Sequence, residues 1–167
     1  MKNFTAIIVS LFFFSACSAS GPRFQETSFA NQPAPADKAR IIFLREDDRH
    51  SPAPDFIVTI DGVAMGKLER EGFLVVDAVP GERELSLDKR NEKYPLALKL
   101  NLEAAQTYYI QVSWRDEFFS HVGLGMMFGV VGGLAAAALA DDKGPIKIEP
   151  IDPTEGKKLL SEFRLSK

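Results

Sequence analysis

From Ala39 onward apolar and polar residues alternate at every second position, the pattern of strands with one face in a core. "YPLALKLNL" shows it most cleanly. Leu96, Leu98, Leu100 and Leu102 fall on one face, and Ala97, Lys99 and Asn101 on the other. "DFIVTIDG" places Phe56, Val58 and Ile60 together and closes on Asp61-Gly62, a pair suited to a turn with positive φ. "RELSLDK" alternates Leu85 and Leu87 with Glu84, Ser86 and Asp88. "TYYIQVSWR" sets Tyr108, Ile110, Val112 and Trp114 on one side. "ARIIFLRE" is instead a compact apolar run, which suits a strand buried on both faces. "GFLVVDAV" reads as another strand and ends at Pro80-Gly81, a good pair for the centre of a type II turn. "IKIEPI" supplies a last short strand.

About seven strands at short, regular spacing predict an all-β fold, an antiparallel β-sandwich over residues 39–167. The alternation leaves one face of each sheet packed and the other toward water. At the C-terminus Asp152-Pro153-Thr154-Glu155 has the layout of a helix start: Asp as the cap, Pro in the first turn and Glu three residues on. Leu159, Leu160 and Phe163 then share a face, so a short helix over 153–163 is expected to cover one sheet edge or end.

The first 16 residues break the pattern. "MKNFTAIIVSLFFFSACSAS" opens with a cation, Lys2, continues apolar from Phe4 to Phe14, and meets small residues around Cys17. That is the layout of an export signal and too short for a stable span. "FSAC" resembles a bacterial lipobox, with Phe14 where Leu is usual. The resemblance implies cleavage before Cys17, a diacylglyceride on its sulfur and an acylated amine. Ser18, a residue other than Asp, resembles the pattern for delivery to the outer membrane, facing the periplasm. Cys17 is the one cysteine of the chain, so no internal disulfide framework exists. Residues 17–38 then read as the lipidated cysteine and a flexible linker rich in Ser, Ala, Gln and Pro. About 20 such residues would reach roughly 25 Å.

A second break is "GLGMMFGVVGGLAAAALA", inside an apolar insertion over 121–142. Val122 to Ala140 is 19 residues without a charge, about 28 Å as a helix. Gly125, Gly129, Gly133 and Ala137 recur at every fourth residue and would form a flat stripe, as in a glycine zipper. Spanning is opposed by the Gly content and by chain order. Strands on either side must share a compartment to share a sheet, and one crossing would separate them. The expected state is a non-spanning element packed on the domain, on a second copy or on lipid. A true span and plain disorder are the alternatives.

With 20 basic and 23 acidic residues the formal net charge is −3, which gives no basic surface for nucleic acid. His50 and His121 have no second His or Cys at ligand spacing, so neither a metal site nor any cofactor is expected. Glu46, Asp47 and Asp48 lack the alternating oxygen ligands and Gly turn of a calcium loop. Ser113, Asp116 and His121 carry triad residue types, but nothing marks Ser113 as sitting on a strained nucleophile turn. Tyr108, Tyr109 and Trp114 form a candidate aromatic platform, weighed against ordinary core packing.

"ARIIFLRE", "FIVTIDGVAMGKL", "GFLVVDAVPGERELSL" and "QTYYIQVSW", in this order, resemble the bacterial lipoprotein family catalogued as domain of unknown function 2846. The piece "VTIDGVAMGKL…VPGERELSL" also resembles PEGA-type surface β-domains. The resemblance implies an envelope lipoprotein with a sandwich-like domain and brings no catalytic residues. The expected function is therefore a non-enzymatic binding or structural module, anchored to the membrane through Cys17, with the Gly stripe meeting a second copy or an envelope protein. The alternative is a small-ligand-binding or hydrolytic domain that uses the Tyr/Trp strand.

Overall fold

A computed structural model describes residues 18–46, 55–88, 96–114 and 146–167. The strands are β1 (Ala39–Arg45), β2 (Phe56–Ile60), β3 (Val63–Leu68), β4 (Gly72–Ala78), β5 (Gly81–Asp88), β6 (Leu96–Leu102), β7 (Thr107–Trp114), β8 (Ile146–Ile151) and β9 (Arg164–Leu165). The helix α1 (Pro153–Glu162) precedes β9. One sheet has the order β8-β7-β1-β4-β9 and the other β3-β2-β5-β6. The all-β sandwich is thus the fold, and every strand expected from the sequence is present.

Two strands were not expected. β3 follows β2 through the Asp61-Gly62 turn, where φ is +50° and +78° at the two residues, as a tight hairpin requires. Its "VAMGKL" hides the alternation because β3 is an edge strand, largely exposed, with a register shift opposite Val58/Thr59. β9 is two residues long and too short to carry any period.

The sheets are not wholly antiparallel. β7 lies parallel to β1, with Ile41 opposite Tyr108 and Phe43 opposite Ile110, and β9 lies parallel to β4. The four-stranded sheet is built from β2, β3, β5 and β6, so the chain crosses to the other layer before β7 returns beside β1. A long crossover of that kind permits a parallel neighbour where a hairpin does not.

β1 is buried along its whole length, as its composition predicts. Ile41 and Phe43 enter the core between the sheets with Phe56, Val58, Leu85 and Ile110. Ile42 and Leu44 face outward and join a second core with Phe73, Tyr109, Leu160 and Phe163. Phe43, Phe56 and Phe73 are each at most 1% exposed. Burial contributes about 1.5–3 kcal/mol for each of them. The second core exists because α1 covers the outer face of the five-stranded sheet, where the sequence suggested an edge or end. The helix begins as expected: the Asp152 carboxylate accepts from the Thr154 amide at 2.7 Å, and Pro153 occupies the first position.

The flexible linker expected over residues 17–38 is also corrected, for its described part. Residues 18–38 form an arm laid on the domain, with short 3₁₀ turns at Phe24–Glu26 and Ser28–Asn31. The Ala19 amide donates to the Arg70 carbonyl at 2.8 Å, and the Gly21 amide to the Leu165 carbonyl at 3.1 Å. Leu165 returns a bond from its amide to the Pro22 carbonyl at 2.9 Å. Phe24 meets Phe73 edge to face, with ring centroids 5.8 Å apart. The polar average of the segment masks these two features: aromatic anchors at Phe24 and Phe29, and a glycine where the chains touch. A Cβ on Gly21 would overlap the Leu165 carbonyl.

Candidate functional site

Adjacent residues of a strand point to opposite faces, and this divides the proposed aromatic platform. Tyr108 and Trp114 lean on the core between the sheets. They are six positions apart, about 20 Å along β7. The Tyr108 hydroxyl accepts from the Glu103 amide at 2.9 Å, which binds it into the local turn. Tyr109 lies on the other side of the sheet, beneath α1. The three rings therefore do not share a surface.

Cys17 and the stripe of Gly125, Gly129, Gly133 and Ala137 lie outside the described residues, as do His50, Asp116 and His121. Ser113 is on the regular part of β7, with its hydroxyl buried and without a hydrogen-bond partner among the described residues. Among the described residues no group of three or more His, Cys, Asp or Glu side chains is placed to hold a metal ion. No described helix is long and apolar enough to cross a membrane.

Two clefts flank the arm. The first, of about 580 Å³, opens beside Ser18, the residue that follows Cys17. Glu46, Glu71 and Glu162 line it, with Arg164 as the one cation. The Ser18 hydroxyl donates to the Glu71 carboxylate at 2.9 Å. The start of the arm is thereby held by a side-chain bond and, at Ala19, a backbone bond.

The second cleft, of about 340 Å³, lies between the arm, the outer sheet face and α1. Arg40 stands at its rim. This side chain directly precedes the apolar run of β1 and is only 4% exposed. Its guanidinium grips the Asp77 carboxylate with two bonds, at 2.9 and 3.2 Å. A third bond, at 2.6 Å, goes to the Gln32 carbonyl, and the Phe29 ring lies 5.3 Å away. Arg40 is thus a clasp between β4 and the end of the arm. Sequence reasoning passed over it. The available signal was an arginine directly before the apolar run of a strand read as buried on both faces, where a charge must find a partner.

Tyr109 forms part of the wall of this second cleft and is 7% exposed. Burial raises the pKa of its phenol above the ordinary value of 10, so the group remains a neutral donor at physiological pH. Gly156 of α1 rests on the same ring. Of the candidate platform, then, Tyr109 lines this cleft, and Trp114 lines only a separate crevice of about 10 Å³. Compared with known proteins, the chain matches no family model, no curated protein and no solved structure.

Proposed function

We propose that this protein is a lipid-anchored bacterial envelope protein, carried on Cys17 at the outer membrane and facing the periplasm. Its β-sandwich acts as a non-enzymatic binding or structural module. The observation that carries the reading is the signal layout ending in "FSAC", with its small residues directly before the only cysteine. Several acyl chains, at about 0.8 kcal/mol for each buried methylene, make such an anchor stable. The docked arm supports a particular version of it. Ser18 and Ala19 are fastened to Glu71 and Arg70, so a lipid on the preceding residue holds the folded body close to the bilayer and in a fixed orientation. The likeness to the lipoprotein family of domain of unknown function 2846 belongs to the same proposal, as does self-association through the stripe at Gly125, Gly129 and Gly133.

Labelling with an alkyne palmitate analogue tests the anchor. The wild type is expected to take up label and to fractionate with the outer membrane. Cys17→Ser is expected to do neither. A Cys17→Ser protein that is cleaved correctly and still pellets with membranes overturns the proposal.

A further inference from the structure

The cleft beneath the arm has the make-up of a ligand pocket, and its chemistry restricts what fits. A volume of about 340 Å³ is within the range of small-molecule sites. Ile42 and Leu160 give it an apolar floor, and Phe24 and Phe29 of the arm give it an aromatic wall. No acidic residue lines it, whereas three line the neighbouring cleft. Two of its residues, Arg40 and Lys157, are basic. Arg40 is neutralised by Asp77. Lys157 lies on the exposed side of α1 and has no ion-pair partner among the described residues. One net positive charge therefore faces the cleft.

A second, independent feature is the Tyr109 phenol. The ring is buried, while its hydroxyl, without a hydrogen-bond partner among the described residues, remains accessible at the cleft wall. A donor placed there can meet an acceptor that a ligand delivers into the cleft. An apolar body, one anionic head and one acceptor atom near Tyr109 are the features such a ligand needs.

We propose that this cleft binds a small amphiphile with a single negative charge, such as an aryl or short alkyl carboxylate. The body lies on Ile42 and Leu160 beside the two phenylalanines. The carboxylate accepts from the Tyr109 hydroxyl and faces the Lys157 ammonium. Because Phe24 and Phe29 belong to the arm, a bound ligand also fastens the arm to the sheet. The site is a property of the fold and does not depend on whether Cys17 carries lipid.

The test uses the full-length protein in lipid nanodiscs and ¹⁹F NMR of 4-(4-fluorophenyl)butyrate, with empty nanodiscs as the partition blank. Saturable binding is expected with a Kd on the order of 1 mM or below, as suits a probe of this size. The alcohol of the same skeleton is expected to bind about tenfold more weakly, because it lacks the charge. Tyr109→Phe and Lys157→Met are each expected to weaken the acid by about five- to tenfold. Lys158→Met, one residue along and off the cleft, is expected to change nothing. No saturation by about 10 mM overturns the proposal, as does equal binding of acid and alcohol, or indifference to both Tyr109→Phe and Lys157→Met. Palmitate labelling of the same preparation reads the anchor separately, so failure of one reading is distinguishable from failure of the other.

Discussion

Gly156 rests directly on the ring of Tyr109, so closely that a Cβ at this position would overlap the ring's Cγ and Cδ1. The contact brings α1 down onto β7. It also explains a glycine in the body of a ten-residue helix, where helical propensity alone disfavours it by about 1 kcal/mol against alanine. Propensity and packing therefore predict opposite signs for Gly156→Ala. Backbone and a packed ring cannot retreat cheaply, so packing is the larger effect. Gly156→Ala is expected to destabilise the domain by about 1–3 kcal/mol. A denaturant midpoint equal to or above that of the wild type would show that α1 has freedom to lift.

The Arg40–Asp77 pair is asymmetric in burial: the guanidinium side chain is 5% exposed and the carboxylate 26%. Asp77→Asn leaves a buried cation with a weakened partner. The loss is expected to be about 1–3 kcal/mol, below the about 3–5 of a fully buried pair because water reaches Asp77. Arg40→Met with Asp77→Ala is expected to recover part of that loss. A thermal-unfolding series over the single and double variants measures the coupling, and strict additivity would mean that the pair contributes nothing.

Two carboxylates respond to acid. The Glu84 amide, at 3.0 Å, and the Arg83 guanidinium hold the Asp61 carboxyl below its ordinary pKa of 3.8. The Thr154 amide does the same for Asp152. A carboxyl whose pKa is depressed by folding contributes stability above its unfolded pKa and loses it as pH falls through the folded value. Both contributions are thus present at neutral pH and disappear below about pH 4. Unfolding midpoints measured from pH 7 to pH 2 are expected to fall less steeply below pH 4 in the Asp61→Asn/Asp152→Asn double variant than in the wild type. Parallel curves would assign the acid sensitivity to other groups.

The arm predicts a proteolytic signature. Arg23 precedes Phe24, which is held against Phe73, and Phe29 lies under Arg40. Cleavage after Arg23 needs the arm to lift, so the wild type is expected to resist trypsin there. Phe24→Ala/Phe29→Ala removes both aromatic anchors and is expected to speed that cleavage at least about tenfold, while the sandwich stays folded. Equal cleavage rates would return the segment to the status of a loose tether.

What the sequence made legible was whatever depends on strand period and composition. Leu96 to Leu102 alternate, and the structure faces Leu96 and Leu102 inward and Lys99 outward. β1 reads as doubly buried because nothing polar interrupts Ile41 to Leu44. The failures have a common cause in tertiary contact. Residues 18–38 are polar on average, yet two phenylalanines and one close glycine contact suffice to dock them. Tyr109 resembled Tyr108 in type, but strand pleat set them on opposite faces. The cleft was invisible for the same reason, since the arm, β1, β7 and α1 meet there only after folding.

The pairing of Gly21 and Pro22 with Leu165 joins positions near the two ends of the chain. A chain made from its N-terminus presents residue 21 long before residue 165. The arm's partners Arg40, Arg70 and Phe73 follow it soon in the chain, whereas Leu165 comes much later. The arm is thus a zipper with two closing times: one side can settle on the young sheet, and the seam at Gly21 and Pro22 shuts only once Leu165 is in place.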